Sequence, residues 1–384
     1  MHRKALFKNF RFEPGYLYYG AFAVYVITYL LNYMTFGFSM SKLQIVSEIL
    51  LVMKLFTQKY ERYEIPAVIA CLLMGFATIF VTNDYNLFTS VLFIAAGQGI
   101  NIKKLSKLAF VCCSVVVAAV MISFFLGIIP EISYLGKDVL RHSWGFSHPN
   151  RFGSTVFALV CSVAVYYFPK CSFPQICFFA PAAFAIDSVA RSGTSAYCVL
   201  IVAALCLANS YFASKKQSAV LKMFLFGFVF LSSVSLYFMI FYDVNSQWMF
   251  NLNDLFSRRL ELMNMSYKEI GFGIFGLDSN TLSKPAQMGL LGSELEKGNV
   301  IDNMYIKTLI MYGLVPFLVL FSLYFIFFRK ALKEKKICCL RIWSVSLCNL
   351  RFYRMVRNSF CSELLHDRFR ICSLSFGGDV ICMR

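Results

Sequence analysis

The chain has 384 residues, a mean hydropathy of +0.64 and 59% hydrophobic content, which is too apolar for an ordinary soluble domain. Its formal charge of +17 does not read as a nucleic-acid footprint, because the basic residues fall in short clusters between apolar runs. Fourteen cysteines do not read as a disulfide scaffold: Cys71, Cys112, Cys113, Cys161, Cys198 and Cys206 lie inside apolar runs, where thiols act as small hydrophobes, and no CxxC pair or His/Cys cluster has metal-ligand spacing.

The basic opening leads directly into an apolar run long enough to span a membrane, without the pattern of a cleaved signal. A hydrocarbon core of about 30 Å takes roughly 20 apolar residues per helix. On that measure about ten spans are expected, near 15–36, 43–57, 65–82, 86–100, 108–129, 152–168, 174–190, 195–213, 219–242 and 300–328. The predicted fold class is therefore all-α and polytopic. The fourth segment is short and carries Gly97 and Gly99, which predicts a tilted or re-entrant element. Phenylalanines and tyrosines gather near segment ends, as aromatic belts require.

Orientation follows from Lys and Arg in the short connections. With the N-terminus inside, the cytoplasmic clusters are Arg3/Lys4/Lys8/Arg11, Lys59/Arg62, Lys103/Lys104/Lys107, Lys170, Lys215/Lys216 and Arg329/Lys330/Lys333/Lys335/Lys336. The short outer connections hold only Lys42, Lys137, Arg141, Arg151 and Arg191. This topology puts three segments on the outer face: 130–151, 187–194 and the long loop 243–299. In that loop Phe250, Leu252, Leu255, Phe256, Leu260, Leu262 and Met263 recur at roughly helical spacing, which predicts a helix or two lying against the outer surface.

After Lys336 the composition breaks. Residues 337–384 hold six cysteines, seven arginines and no lysine, whereas residues 1–336 use 21 lysines to nine arginines. The expectation is a membrane domain over 1–336, followed by an atypical tail over 337–384 that reads as out-of-frame sequence.

The polar residues that could carry chemistry concentrate in Arg141-His142-Ser143-Trp144-Gly145-Phe146-Ser147-His148-Pro149-Asn150-Arg151-Phe152-Gly153. Ionisable groups beside apolar spans are costly to keep and are functional candidates by default. Arg191-Ser192 opens a later helix, Leu255-Phe256-Ser257-Arg258-Arg259-Leu260 is followed by Gly276, and Val300-Ile301-Asp302-Asn303 precedes Gly313. In order, spacing and common side, these motifs over roughly residues 100–330 resemble the bacterial capsular and O-antigen polysaccharide polymerases of the Wzy type. The related O-antigen ligases carry a His-Asn pair nine residues before a glycine; Asp302 stands here where that histidine would, which argues against the ligase branch.

The resemblance implies polymerisation of undecaprenyl-diphosphate-linked oligosaccharide repeat units at the outer face of the bacterial cytoplasmic membrane. It implies no metal and no cofactor, and as partners the lipid-linked sugar, membrane lipid, a flippase and a chain-length regulator. Arg141, Arg191, Arg258 and Arg259 are the candidates for clamping the diphosphate, because a guanidinium fork matches phosphate oxygens. His148 and Asp302 are the candidate bases for the acceptor hydroxyl, with Asn150 and Asn303 orienting.

Each residue also has an ordinary reading. Arg141 and Arg151 anchor to headgroups, Asp187 pairs with Arg191, His148 caps the next helix with Asn150, and Asp302 is an N-cap. Of the 258/259 pair, one arginine faces the site and the other faces water or Glu261. His142 and Trp144 read as interface residues. A different class of protein, a transporter for anionic lipid-linked sugars, would use basic residues facing a cavity and show charged or broken helices at the midplane. Here the charges gather at the outer ends instead, with only Lys54, Lys222 and Lys307 within spans.

Overall fold

The computed structural model describes residues 13–32, 34, 40–62, 64–135, 140–167, 173–190, 192–211, 217–256, 258–278 and 303–334. Arg191, Asp302, most of the connection before Asn303 and the 337–384 tail lie outside the described residues.

The described residues form thirteen α-helices: α1 (Gly15–Leu31), α2 (Gln44–Thr57), α3 (Glu64–Thr82), α4 (Asn86–Ala96), α5 (Ile102–Phe125), α6 (Pro149–Tyr167), α7 (Phe173–Ala190), α8 (Gly193–Tyr211), α9 (Gln217–Phe241), α10 (Gln247–Leu255), α11 (Arg259–Ile270), α12 (Met304–Tyr312) and α13 (Leu314–Glu334). The all-α class is as expected. One small hairpin joins it, β1 (Tyr134–Leu135) antiparallel to β2 (Leu140–Arg141). Among the described residues, two helices, α3 and α5, are long and apolar enough to cross a membrane.

The chain divides into two compact units, one drawing on Met1–Pro66 and Leu92–Leu207, the other on Ala67–Val91 and Ala208–Arg354. In the first, α1 packs on α2 and α5, α5 on α6, and α6 on α7. Small polar side chains stitch these contacts. Ser47 Oγ donates to the Ala21 carbonyl at 2.8 Å and Ser106 Oγ to the Ser162 carbonyl at 3.0 Å, bonds worth having where no water competes. Phe93 on α4 meets the rings of Tyr18, Phe22 and Tyr25 at 5.6, 6.3 and 5.3 Å.

The fourth segment is short, as its apolar run suggested: 11 residues, or about 16 Å, half the thickness of a hydrocarbon core. Its end is closed by side chains from the α2–α3 connection. The Ala95 carbonyl accepts from Gln58 Nε2 at 2.9 Å and from Tyr60 Oη at 3.2 Å. Burial, with the neighbouring Glu64 carboxylate, pushes the Tyr60 phenol well above its usual range and keeps it a neutral donor.

In the second unit, α9 packs on α11, α12 and α13 around a core that includes Phe238, Met239, Met263, Ile306, Leu309 and Ile310. Helices α10 and α11 answer the amphipathic pattern of the long loop. Met249, Asn253, Met263 and Asn264 are buried, while Trp248 and Leu255 are 55% and 75% exposed.

The segment expected as one span near 300–328 is two helices. A straight helix would set Tyr305 and Tyr324 about 28 Å apart. Instead both rings meet that of Phe228, at 5.8 and 5.4 Å, so the chain bends sharply between α12 and α13. Gly313 makes the turn at φ 89°. The backbone of residues 273–277 fills the break: Leu314 N–H donates to the Gly273 carbonyl and Val315 N–H to that of Ile274, both at 3.0 Å, and Leu277 N–H donates to the Met311 carbonyl at 3.2 Å. Pro316 has no N–H, and Phe317 N–H already bonds the Gly313 carbonyl at 3.1 Å. The donors that a helix start leaves unpaired are thus consumed by the chain itself. Glycine is required at the crossing. A Cβ at Gly276, whose φ is 98°, would run into the Met311 carbonyl oxygen, and one at Gly313 would lie 2.5 Å from the Ile274 oxygen.

Candidate functional site

The polar island lies in the first unit, between α5 and α6. The chain turns there through Trp144 at φ 53° and Gly145 at φ 82°. A side chain at Gly145 would meet Val120 Cγ1 at 3.1 Å and Phe124 Cβ at 3.3 Å, so only glycine lets the turn press onto α5. The Trp144 ring rests on Phe124 and Phe125 at 5.5 and 5.9 Å. Phe146 is fully buried, bridges to the backbone of Met34 and meets Phe152 at 5.8 Å. These aromatic anchors set where α6 begins.

Pro149 suits the first position of α6, since its fixed φ fits and its missing N–H would have had no helical partner. His148 stands just before it. Its ring Nδ1 accepts the Asn150 N–H at 3.0 Å, so the imidazole does the work of an N-cap. A backbone N–H can only donate, so Nδ1 carries no proton and the neutral ring bears its hydrogen on Nε2. The capping reading of His148 describes this geometry.

Asn150 is the hub of the island. Its Oδ1 accepts from Arg141 Nη2 at 2.8 Å and from Ser192 Oγ at 3.1 Å, and the Ser192 and Ser195 hydroxyls lie 3.2 Å apart. One carboxamide oxygen therefore ties the β2 arginine, the start of α6 and the α7–α8 corner together. The approach is close enough to require Gly153: a Cβ there would lie 2.8 Å from Ser192 Cβ and 3.2 Å from Ile186 Cγ2. Burial lowers the Arg141 guanidinium from its usual value, though arginine remains a cation throughout the accessible range. The guanidinium has the planar fork shape that suits phosphate oxygens. Arg151 is exposed and uses its backbone N–H on the His148 carbonyl at 2.8 Å. His142 Nδ1 lies 2.8 Å from Glu131 Oε1.

Arg258, Arg259 and Asn303 belong to the second unit. Arg258 is exposed and adopts a left-handed conformation at φ 61°, immediately before α11. Asn253 fixes that turn. Its carbonyl accepts the Arg258 N–H at 2.8 Å, and its Oδ1 accepts the Leu260 and Glu261 N–H groups at 3.1 Å each. Arg259 is half-buried. Asn303 caps α12, its Oδ1 accepting from Tyr305 at 3.0 Å and Ile306 at 3.3 Å while Nδ2 donates to Ser235 Oγ at 2.8 Å. The cap assigned by one reading to Asp302 is thus supplied by its neighbour.

Ser192 is the member of the cluster that sequence reasoning passed over. The only signal was its position after Arg191 in a Ser-Gly-Thr run; its link to Asn150 spans 42 residues. No family model, curated protein or solved structure matches the chain.

Proposed function

We propose that the protein is a polytopic membrane glycosyltransferase that polymerises undecaprenyl-diphosphate-linked oligosaccharide repeat units into capsular polysaccharide, exopolysaccharide or O-antigen. In this reading about ten segments cross the bacterial cytoplasmic membrane, with α12 and α13 forming the last as a bent pair and the N-terminus in the cytoplasm. Several further helices have suitable length, 18 to 25 residues in α6 to α9. Bulky apolar side chains such as Phe56, Phe80 and Phe184 stand outward, as a lipid-facing surface needs.

The observation that carries the reading is the convergence of Arg141 and Ser192 on Asn150 beside the start of α6. It holds an arginine fork at the end of apolar helices, where a lipid diphosphate headgroup would lie. A hydroxyl of the incoming unit attacks the anomeric carbon of the growing chain. The bond from that carbon to the diphosphate oxygen breaks, and the diphosphate leaves with the electron pair. Arg141 and Arg191 offset the developing charge. His148 or Asp302 serves the acceptor hydroxyl.

The transporter reading is weaker on a specific point. Broken helices in transporters aim free helix termini at their substrate, whereas the N–H groups at the α12–α13 break are taken up by residues 273–277. Deleting the gene and restoring it on a plasmid tests the proposal. Loss of the high-molecular-weight ladder with accumulation of single lipid-linked units is expected on deletion; a normal ladder without the protein overturns it.

A further inference from the structure

Helix α10 has one more face than the packing of the second unit explains. At about 100° per residue, Met249 and Asn253 share the face that turns inward, and both are buried. Gln247, Asn251 and Asp254 share a polar face and are exposed. Between the two runs a wholly apolar stripe, Trp248, Leu252, Leu255 and Phe256. Trp248 is 55%, Leu255 75% and Phe256 49% exposed, and Leu252 is half-buried. We infer that α10 lies in the headgroup region of the outer leaflet, with this stripe on the acyl chains and Arg258, at its end, on the phosphate of an anionic phospholipid. The inference rests on the membrane reading, with the α9–α10 connection on the outer side. It gives Arg258, a sequence candidate for the diphosphate, a place on bulk lipid instead.

The stripe continues a surface that lipid already accounts for. Tyr237, Ile240 and Phe241 at the end of α9, with Val244 just beyond, are bulky, apolar and exposed. On a helix of 25 residues, long enough to cross the hydrocarbon, such groups face acyl chains. Trp248 joins α10 to that end of α9, its ring 6.0 Å from the ring of Phe238. Tryptophan settles at the membrane–water boundary, where one part of the indole is apolar and the other wet. Helix α10 itself has 9 residues, about 14 Å, far short of a span. An apolar stripe beside a polar face is the pattern of a helix lying in the interface plane.

The charge falls where that depth puts phosphate. Arg258 follows the stripe by two residues, is exposed, and makes no side-chain hydrogen bond or ion pair among the described residues. Its left-handed backbone, φ 61°, is held by the bond of its N–H to the Asn253 carbonyl at 2.8 Å, from the buried face of the same helix. The guanidinium therefore leaves from a fixed point at the rim of the stripe, and its fork suits phosphate oxygens. An apolar stripe with a cation at its end matches an anionic amphiphile. A water-soluble acidic partner would use the cation alone.

Full-length protein reconstituted in phosphatidylcholine vesicles supplies the test. The chain has three tryptophans, so Trp248 is read as the difference in emission between wild type and Trp248→Phe. Lipids brominated near the glycerol end of the acyl chain should quench that component more than lipids brominated near the chain terminus, since such a helix sinks about 5 to 10 Å into the boundary. Leu255→Gln combined with Phe256→Gln, both at exposed positions, should lose the quenching and shift the emission to the red. Brominated phosphatidylglycerol should compete for the surface about fivefold better than brominated phosphatidylcholine, the gain from one basic group at an anionic headgroup. Arg258→Asn keeps a residue that tolerates the left-handed conformation and should erase the preference, whereas Arg258→Lys should retain it.

If acrylamide in the water quenches Trp248 and brominated lipid does not, or if neither reaches it, the docking surface is overturned while the membrane reading stands. An equal response of wild type to the two headgroups overturns the role of Arg258. If the protein fails to float with the vesicles after an alkaline wash, the membrane reading falls, and the docking surface falls with it.

Discussion

Asn150→Asp isolates the charge requirement of the site from its architecture. Aspartate has nearly the shape of asparagine, and its carboxylate can accept from Arg141 and Ser192 at the 2.8 and 3.1 Å now seen. The charge-assisted bond to arginine should strengthen, so stability is expected to hold or rise. The diphosphate would meet a new negative charge across the guanidinium, about 7 Å away. With an effective dielectric constant of about 20, that repulsion is about 2.4 kcal/mol, or roughly 50-fold. Asn150→Ala does the opposite. It removes an arginine hydrogen bond worth about 1.5 to 3 kcal/mol and a neutral one worth about 1 kcal/mol, so unfolding in detergent should shift by roughly 2 to 4 kcal/mol. The assay pairs thermal melting of each purified variant with densitometry of the polymer ladder at matched protein level. A wild-type ladder from Asn150→Asp would refute the claim that this cluster handles an anion.

Arg191→Ala should abolish the ladder and Arg191→Lys should restore it poorly, since lysine lacks the fork; Arg151→Ala, at an exposed position, should leave the ladder near wild type. Gly276→Ala should lower stability by about 3 kcal/mol or more, because it strains a left-handed residue and disturbs up to three backbone hydrogen bonds worth about 1 kcal/mol each. Gly99→Ala is the control, with φ 75° but open space around it, and its melting point should fall far less. Asp302→Asn should leave the melting point unchanged, since Asn303 supplies the cap of α12. A lost ladder at unchanged protein level then reports the charge of Asp302, and a normal ladder removes it from the site.

What the sequence disclosed was whatever short-range physics decides. Apolar runs between lysine clusters became helices within one or two turns of the expected limits, except the last, which is broken at Gly313. The shortness of α4 followed from the length of its apolar run. The break at Gly313 did not, because its cause lies in residues 273–277, far upstream in the chain. Their backbone groups carry no residue-type signal for pairing with Leu314 and Val315. The site divided along the same line. The neighbourhood of Arg141, His148 and Asn150 was legible as a polar island in apolar sequence. The roles were not, since the tautomer of His148 follows from one backbone N–H and the place of Ser192 from a contact across 42 residues.

The two long-range devices differ in which groups they engage. At the α12–α13 break the freed backbone donors are consumed by the chain's own carbonyls at 3.0 Å, which closes a terminus that would otherwise suit an anion. At the start of α6 the side-chain acceptors are engaged: Nδ1 of His148 accepts a backbone N–H, and Oδ1 of Asn150 accepts from Arg141 and Ser192. The proposed reading rests on the convergence of Arg141 and Ser192 on Asn150, and adding a single negative charge to Asn150 is the most economical way to test it.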